Sequence, residues 1–195
     1  MTAAPAARLF IAVDPPVEVC EELAAWARSA VRGGAGAGKS APARVLDPEL
    51  LHVTLCFLGS RPVGEIAAIE GALAESARSV GELRLGAPLW LPPRRPRALA
   101  VEVRDDPEGG LAELHRALVE ALARACEYED ERRRFRAHVT LVRMREGPRG
   151  AAGEHALPPT PALSFTPGEV VLYRSWLSPA GASYEALATR TLTPA

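Results

Sequence analysis

The chain has 195 residues, 48% of them apolar and 24% charged, with a formal net charge of −1. That is enough apolar material for a sizeable core, and too little positive charge for the whole molecule to act as a polyanion binder; contact with nucleic acid must come from a local basic patch. Cys20, Cys56 and Cys126 are widely spaced without a CxxC or CxH pattern, which argues against a disulfide scaffold or zinc site and predicts free thiols. Residues Met1 to Ala7 lack the charged and apolar regions of a leader, and no apolar run approaches a membrane span, so a soluble cytoplasmic protein is expected.

In chain order, Arg8 to Asp14 reads as a buried strand ended by Pro15 and Pro16, followed by a helix over Val17 to Val31 with Val19, Leu23, Trp26, Ala27 and Ala30 at helical spacing. A glycine-rich loop from Gly33 to Gly38 breaks it, and with Lys39 and Ser40 it satisfies the P-loop pattern. A P-loop must follow a buried strand and open a helix; this stretch follows a helix and leads into Ala41-Pro42 and extended Arg44 to Leu46, so the match is read as accidental. Leu50 to Leu58 is a strand stopped by Gly59, and Glu65 to Val80 a helix through Ile66, Ile69, Leu73 and Ala77. Strands follow at Leu83–Trp90 and Leu99–Val103, separated by the basic, proline-rich Pro92 to Arg97.

The second half repeats the scheme. Leu111 to Cys126 is an amphipathic helix introduced by Asp105-Asp-Pro and Gly109-Gly110, Ala137 to Val142 a strand, Gly147 to Pro161 a loop. Val170–Leu177 and Tyr184–Thr191 form a closing strand pair around Ser178-Pro-Ala-Gly181. The expectation is an α+β fold spanning residues 1–195 as one domain. Two interleaved, pseudo-symmetric lobes of mainly antiparallel sheet with outer helices would each contribute one His-x-Thr strand to a central cleft.

The repetition behind that expectation is His-Val-Thr-Leu, at His52 to Leu55 and again at His138 to Leu141. Alternate residues of a strand share a face, so His52 with Thr54, and His138 with Thr140, would face the cleft while valine and leucine hold the core. Two imidazoles can divide proton donation and acceptance near neutral pH, and threonine hydroxyls can donate to phosphate oxygens in the transition state. Such a site requires neither a metal nor a covalent nucleophile. One His-x-Thr on a strand is ordinarily a solvated or core-capping histidine; two identical copies in corresponding halves are not explained that way.

The chain resembles the two-histidine (2H) phosphoesterases, specifically the bacterial and archaeal RNA 2′,3′-cyclic phosphodiesterases once described as 2′-5′ RNA ligases. The resemblance rests on Arg8-Leu-Phe-Ile-Ala-Val-Asp14, Leu51-His-Val-Thr-Leu-Cys-Phe-Leu-Gly59, Phe135-Arg-Ala-His-Val-Thr-Leu-Val-Arg143, and Val171 to Leu177 followed by Gly181 and Tyr184. Ala137 stands where proline often precedes the second histidine, and Cys56 replaces a commonly basic residue; neither is a proton-transfer group. The resemblance implies hydrolysis of RNA 2′,3′-cyclic phosphate ends to 2′-phosphomonoesters without metal or cofactor, with His52 as proton donor and His138 as acceptor. Arg143 would turn toward phosphate if its strand ends or bulges there.

Further expectations concern the surroundings. Arg94, Arg95 and Arg97, and Arg132, Arg133, Arg134 and Arg136, form basic clusters that are either solvated faces or a path for RNA phosphates. Phe135, flanked by arginines, is the ring best placed for base stacking, with Phe10 and Phe57 read as core by default. Phe135, Arg136 and Arg143 are thus the candidate substrate-binding residues. His115 and His155 are assigned no chemical role, and Trp90 and Trp176 are read as core. The expected partners are RNA ends or small cyclic nucleotides, with no membrane, and the protein is expected to be a monomer. The rival readings are a non-catalytic nucleotide- or RNA-binding module using the same cleft, a 2′-5′ RNA ligase, and a P-loop phosphotransferase.

Overall fold

The computed structural model describes residues 5–34, 43–93, 96–130, 134–144, 157–179 and 181–194. Most of the glycine-rich P-loop match, Arg94, Arg95, Arg132, Arg133, His155 and residues 147–156 of the second loop lie outside the described residues. The strands are β1 (Ala6–Val13), β2 (Ala43–Val45), β3 (Val53–Pro62), β4 (Leu83–Leu91), β5 (Ala98–Arg104), β6 (His138–Met144), β7 (Ser164–Phe165), β8 (Glu169–Ser178) and β9 (Gly181–Thr191). The helices are α1 (Val17–Gly34), α2 (Ile66–Ser76) and α3 (Gly110–Cys126).

The strands join in the order β7-β4-β5-β6-β3-β1-β8-β9, with β2 added to β6. Neighbouring strands run antiparallel. One face carries the core: Leu9, Ile11 and Val13 of β1, Val53 of β3 and Val139 of β6 are fully buried. Helices cover that face. The stripe Leu111, Leu114, Leu118 and Leu122 gives α3 a continuous buried edge. Its first turn is closed by carboxylates, with the Leu111 and Ala112 amides donating to Asp105 and the Gly110 amide to Asp106, at 2.8 to 3.1 Å.

The sheet is built as two halves that meet at a single residue pair, Val53 opposite Val139. The chain crosses between them. α1 follows β1 but lies against β2 and β6 of the other half, while α3 follows β5 and packs on α2 and β3. Each half therefore needs the other's helix to cover it.

Some expectations change. Gly59 does not stop its strand: β3 runs on to Pro62, and Gly59 takes φ 70° beside a register shift opposite Leu9 and Phe10. The second helix is shorter than its apolar spacing suggested. It begins after a tight turn at Val63–Glu65 and ends at Ser76, because Ala77 leaves the helical region and the Val80 amide bonds the Thr193 carbonyl instead. Trp90 packs partly buried against the core. Trp176 does not; it is 42% exposed beneath the Arg174 guanidinium.

Candidate active site

The two His-Val-Thr-Leu segments form the seam between the halves. Val53, Leu55, Val139 and Leu141 are buried, and His52, Thr54, His138 and Thr140 are half-buried on the other side of the strands. Because Val53 lies opposite Val139 in an antiparallel pair, one step along either strand sets His52 across from Thr140 and Thr54 across from His138. Each histidine thus faces the other motif's threonine, and the two imidazoles lie on a diagonal.

Both rings are held the same way. His52 Nδ1 lies 2.9 Å from the Leu50 carbonyl and His138 Nδ1 lies 2.8 Å from the Arg136 carbonyl. A carbonyl can only accept, so Nδ1 carries the proton and Nε2 is the atom left for chemistry. Burial, opposed by the Leu50 bond and reinforced by the charges of Arg143 and His138, holds the His52 pKa down to about 4.

A second symmetry follows the histidines. Opposite β3, the register shifts between Ile11 and Ala12, leaving Leu55 as an extra residue; opposite β6 it shifts between Leu99 and Ala100, leaving Leu141. Each bulge reverses the alternation. Cys56 and Val142 consequently point into the core, at 0% and 1% exposure, and the next residues, Phe57 and Arg143, return to the cleft face. β6 thus does not end at Arg143; the bulge turns the guanidinium to the side of His138 and Thr140. Its counterpart Phe57 is 43% exposed, with the Arg8 guanidinium 4.7 Å above its ring. Phe57 is therefore not a core ring, contrary to expectation; its spacing from His52 equals that of Arg143 from His138.

An aromatic wall backs His52. Phe10 lies 4.8 Å and Tyr184 5.3 Å from its ring, Tyr184 edge-on, and Tyr173 stacks on Phe10 at 5.1 Å. The Tyr173 hydroxyl donates to Asp14. Burial raises the Asp14 carboxyl above its ordinary value, partly offset by that bond. Asp14, Arg44, Asp47, His52, Tyr173 and Tyr184 help line a cleft of about 340 Å³. Of these, only His52 was given a chemical role by sequence; Asp14, Tyr173 and Tyr184 lie in stretches that carry the resemblance.

The remaining candidates lie differently. Phe135 packs against the core, stacked at 4.1 Å on His115 of α3, whose Nε2 is 3.5 Å from Asp130. Flanking arginines do not keep its ring open. Arg136 donates to Glu102 at 3.1 Å, and Glu102 is the cross-strand neighbour of His138. Among the described residues, no group of three or more His, Cys, Asp or Glu side chains is gathered as metal ligands would be, and no helix is long and apolar enough to cross a membrane. The three cysteines are buried free thiols.

Comparison with known proteins gives a consistent set of relatives. The family model described as the 2′-5′ RNA ligase superfamily matches residues 15–176. A Geobacillus stearothermophilus protein named RNA 2′,3′-cyclic phosphodiesterase is 32% identical over 160 residues, which is 78% of this chain and 50% of that relative, so the chain matches about half of its length. An Archaeoglobus fulgidus protein of the same name is 29% identical over 139 residues, 71% of this chain and 73% of the relative. Among solved structures, E. coli LigT complexed with 3′-AMP is similar with a TM-score of 0.77 and 26% identity, over 97% of this chain and 99% of that one. A Thermus thermophilus protein follows at a TM-score of 0.75 and 28% identity, over 96% and 98%.

Proposed function

Because the chain belongs to the 2′-5′ RNA ligase superfamily, we propose that it is an RNA 2′,3′-cyclic phosphodiesterase that opens the cyclic phosphate at an RNA end to a 2′-phosphomonoester. The observation that carries this reading is the seam at Val53 and Val139, which sets two identically held imidazoles diagonally across one site with a threonine beside each. The names of the two relatives support the same activity.

In the proposed reaction the cyclic phosphate lies between the histidines. His138 Nε2 takes a proton from water as the water oxygen bonds to phosphorus. The bond from phosphorus to the 3′ oxygen breaks, and His52 Nε2 gives that oxygen a proton. Thr54, Thr140 and Arg143 hold the non-bridging oxygens, so charge developing in the transition state meets fixed donors. Exposed Phe57 offers a flat face to the nucleoside, and the two proton transfers, from water to His138 and from His52 to the 3′ oxygen, need no metal.

The donor role asks more of His52 than the free protein provides, since its pKa of about 4 leaves it neutral at pH 7. The substrate's own anion supplies the missing term. A unit negative charge about 4 Å away, at an effective dielectric of about 20, favours the protonated ring by about 4 kcal/mol, or about 3 pKa units. His52 is then charged when substrate is bound and neutral when it is not. The same ring opening makes a 2′-5′ linkage if a 5′ hydroxyl takes the place of water: His138 takes the hydroxyl proton, that oxygen bonds to phosphorus and His52 protonates the departing 3′ oxygen, which is the ligase reaction.

The test is hydrolysis of nucleoside 2′,3′-cyclic phosphates with EDTA present. Turnover to the 2′-phosphate supports the proposal; tight binding with no turnover supports a non-catalytic module instead.

A further inference from the structure

Arg44 is neither in a repeat nor in an arginine cluster, yet it reaches the same cleft. We propose that Arg44 is a specificity residue that holds the next phosphate of an RNA strand, so that the site is fitted to polynucleotide ends in preference to cyclic mononucleotides; this rests on the phosphodiesterase reading above.

The placement follows from register. β2 pairs with β6 so that Arg44 lies directly opposite Arg143, and cross-strand partners share a face. Arg143 is on the cleft face because of the bulge at Leu141, so Arg44 is there too; Arg44 lines the cavity beside His52, and the charge of Arg143 acts on that ring. Like charges directly opposite on a sheet oppose folding, and an anion laid across them reverses the sign of that contribution. Two guanidiniums rooted about 5 Å apart can serve two successive phosphates, Arg143 the cyclic one and Arg44 its neighbour.

Arg44 also spans the mouth of the cleft. Its guanidinium rests against Gly181 at the turn between β8 and β9, in the opposite half of the sheet, where any Cβ would collide with it. Gly181 has φ 137°, which favours glycine in any case.

The experiment compares kcat/KM for adenosine 2′,3′-cyclic phosphate and for a diadenosine dinucleotide ending in the same cyclic phosphate, using wild type, Arg44→Gln and Arg44→Lys. Wild type is expected to favour the dinucleotide by about tenfold, the scale of one charge-assisted phosphate contact. Arg44→Gln should bring that ratio to within about twofold of one and reduce the dinucleotide's log–log salt slope by about 1, while Arg44→Lys retains part of the preference. An unchanged ratio, or equal losses on both substrates, overturns the proposal, and the mononucleotide arm separates misfolding from lost specificity. If wild type hydrolyses neither substrate, the phosphodiesterase reading fails by itself; calorimetric binding of the same pair then decides on Arg44 by the same ratio.

Discussion

The protonation of His52 that a bound anion favours can be measured directly. In the free protein its pKa of about 4 means that about 1% of rings are charged at pH 6. A phosphate anion about 4 Å away raises the value by about 3 units, to about 7, and about nine rings in ten are then charged at that pH. The assay is an NMR titration of 15N-histidine-labelled protein, with and without saturating adenosine 2′-monophosphate, assigning the His52 signals by their loss in His52→Asn. Because the signal belongs to the ring itself, titration of the ligand's phosphate does not obscure it. By linkage, anion affinity should weaken by up to about tenfold per pH unit as the pH rises from about 4 to about 7. A His52 pKa near 4 in both states would refute the reasoning, for such a ring cannot donate at neutral pH and the acid and base roles would have to be exchanged.

Other outcomes follow from the same geometry. His52→Ala or His138→Ala should each lower kcat by about 10² to 10⁴, measured on a cyclic mononucleotide. His52 also bears on acid stability, because its folded pKa lies below its ordinary value. The unfolded chain then binds more protons between about pH 6.5 and 4, so stability falls as pH drops through that window, by up to about 3 kcal/mol below it. His52→Asn should remove that loss when urea unfolding is compared at pH 7 and pH 4. Phe57→Ala should raise KM for cyclic mononucleotides by about fivefold or more, and more than it lowers kcat, as expected if a base stacks there.

The sequence discloses the strands through runs such as Leu9 to Val13, where every side chain is buried, and α3 through its leucine stripe. It discloses the motif residues because a repeated tetrapeptide with alternating apolar and polar side chains has few structural explanations. It does not disclose that the motif strands meet each other at one residue pair, since the pairing is long-range and carries no local signal. The strand β7 is hidden because two residues set no periodicity, whereas the extended reading of Arg44 to Leu46 overlaps β2. Leu55 and Leu141 look like ordinary alternating residues, yet as bulges they decide which way Phe57 and Arg143 point. Arg44 and Asp14 reach the cleft from elements distant in sequence, and only the assembled sheet brings them to His52.

The central claim is that imidazoles from the two halves serve a single phosphoryl group. A crystal structure of the protein with adenosine 2′-monophosphate tests it most directly. The account predicts oxygens of one phosphate within about 3 Å of both His52 Nε2 and His138 Nε2, with Thr54 and Thr140 donating to the same group. A phosphate bound to one histidine alone, or seated elsewhere on the sheet, would contradict it.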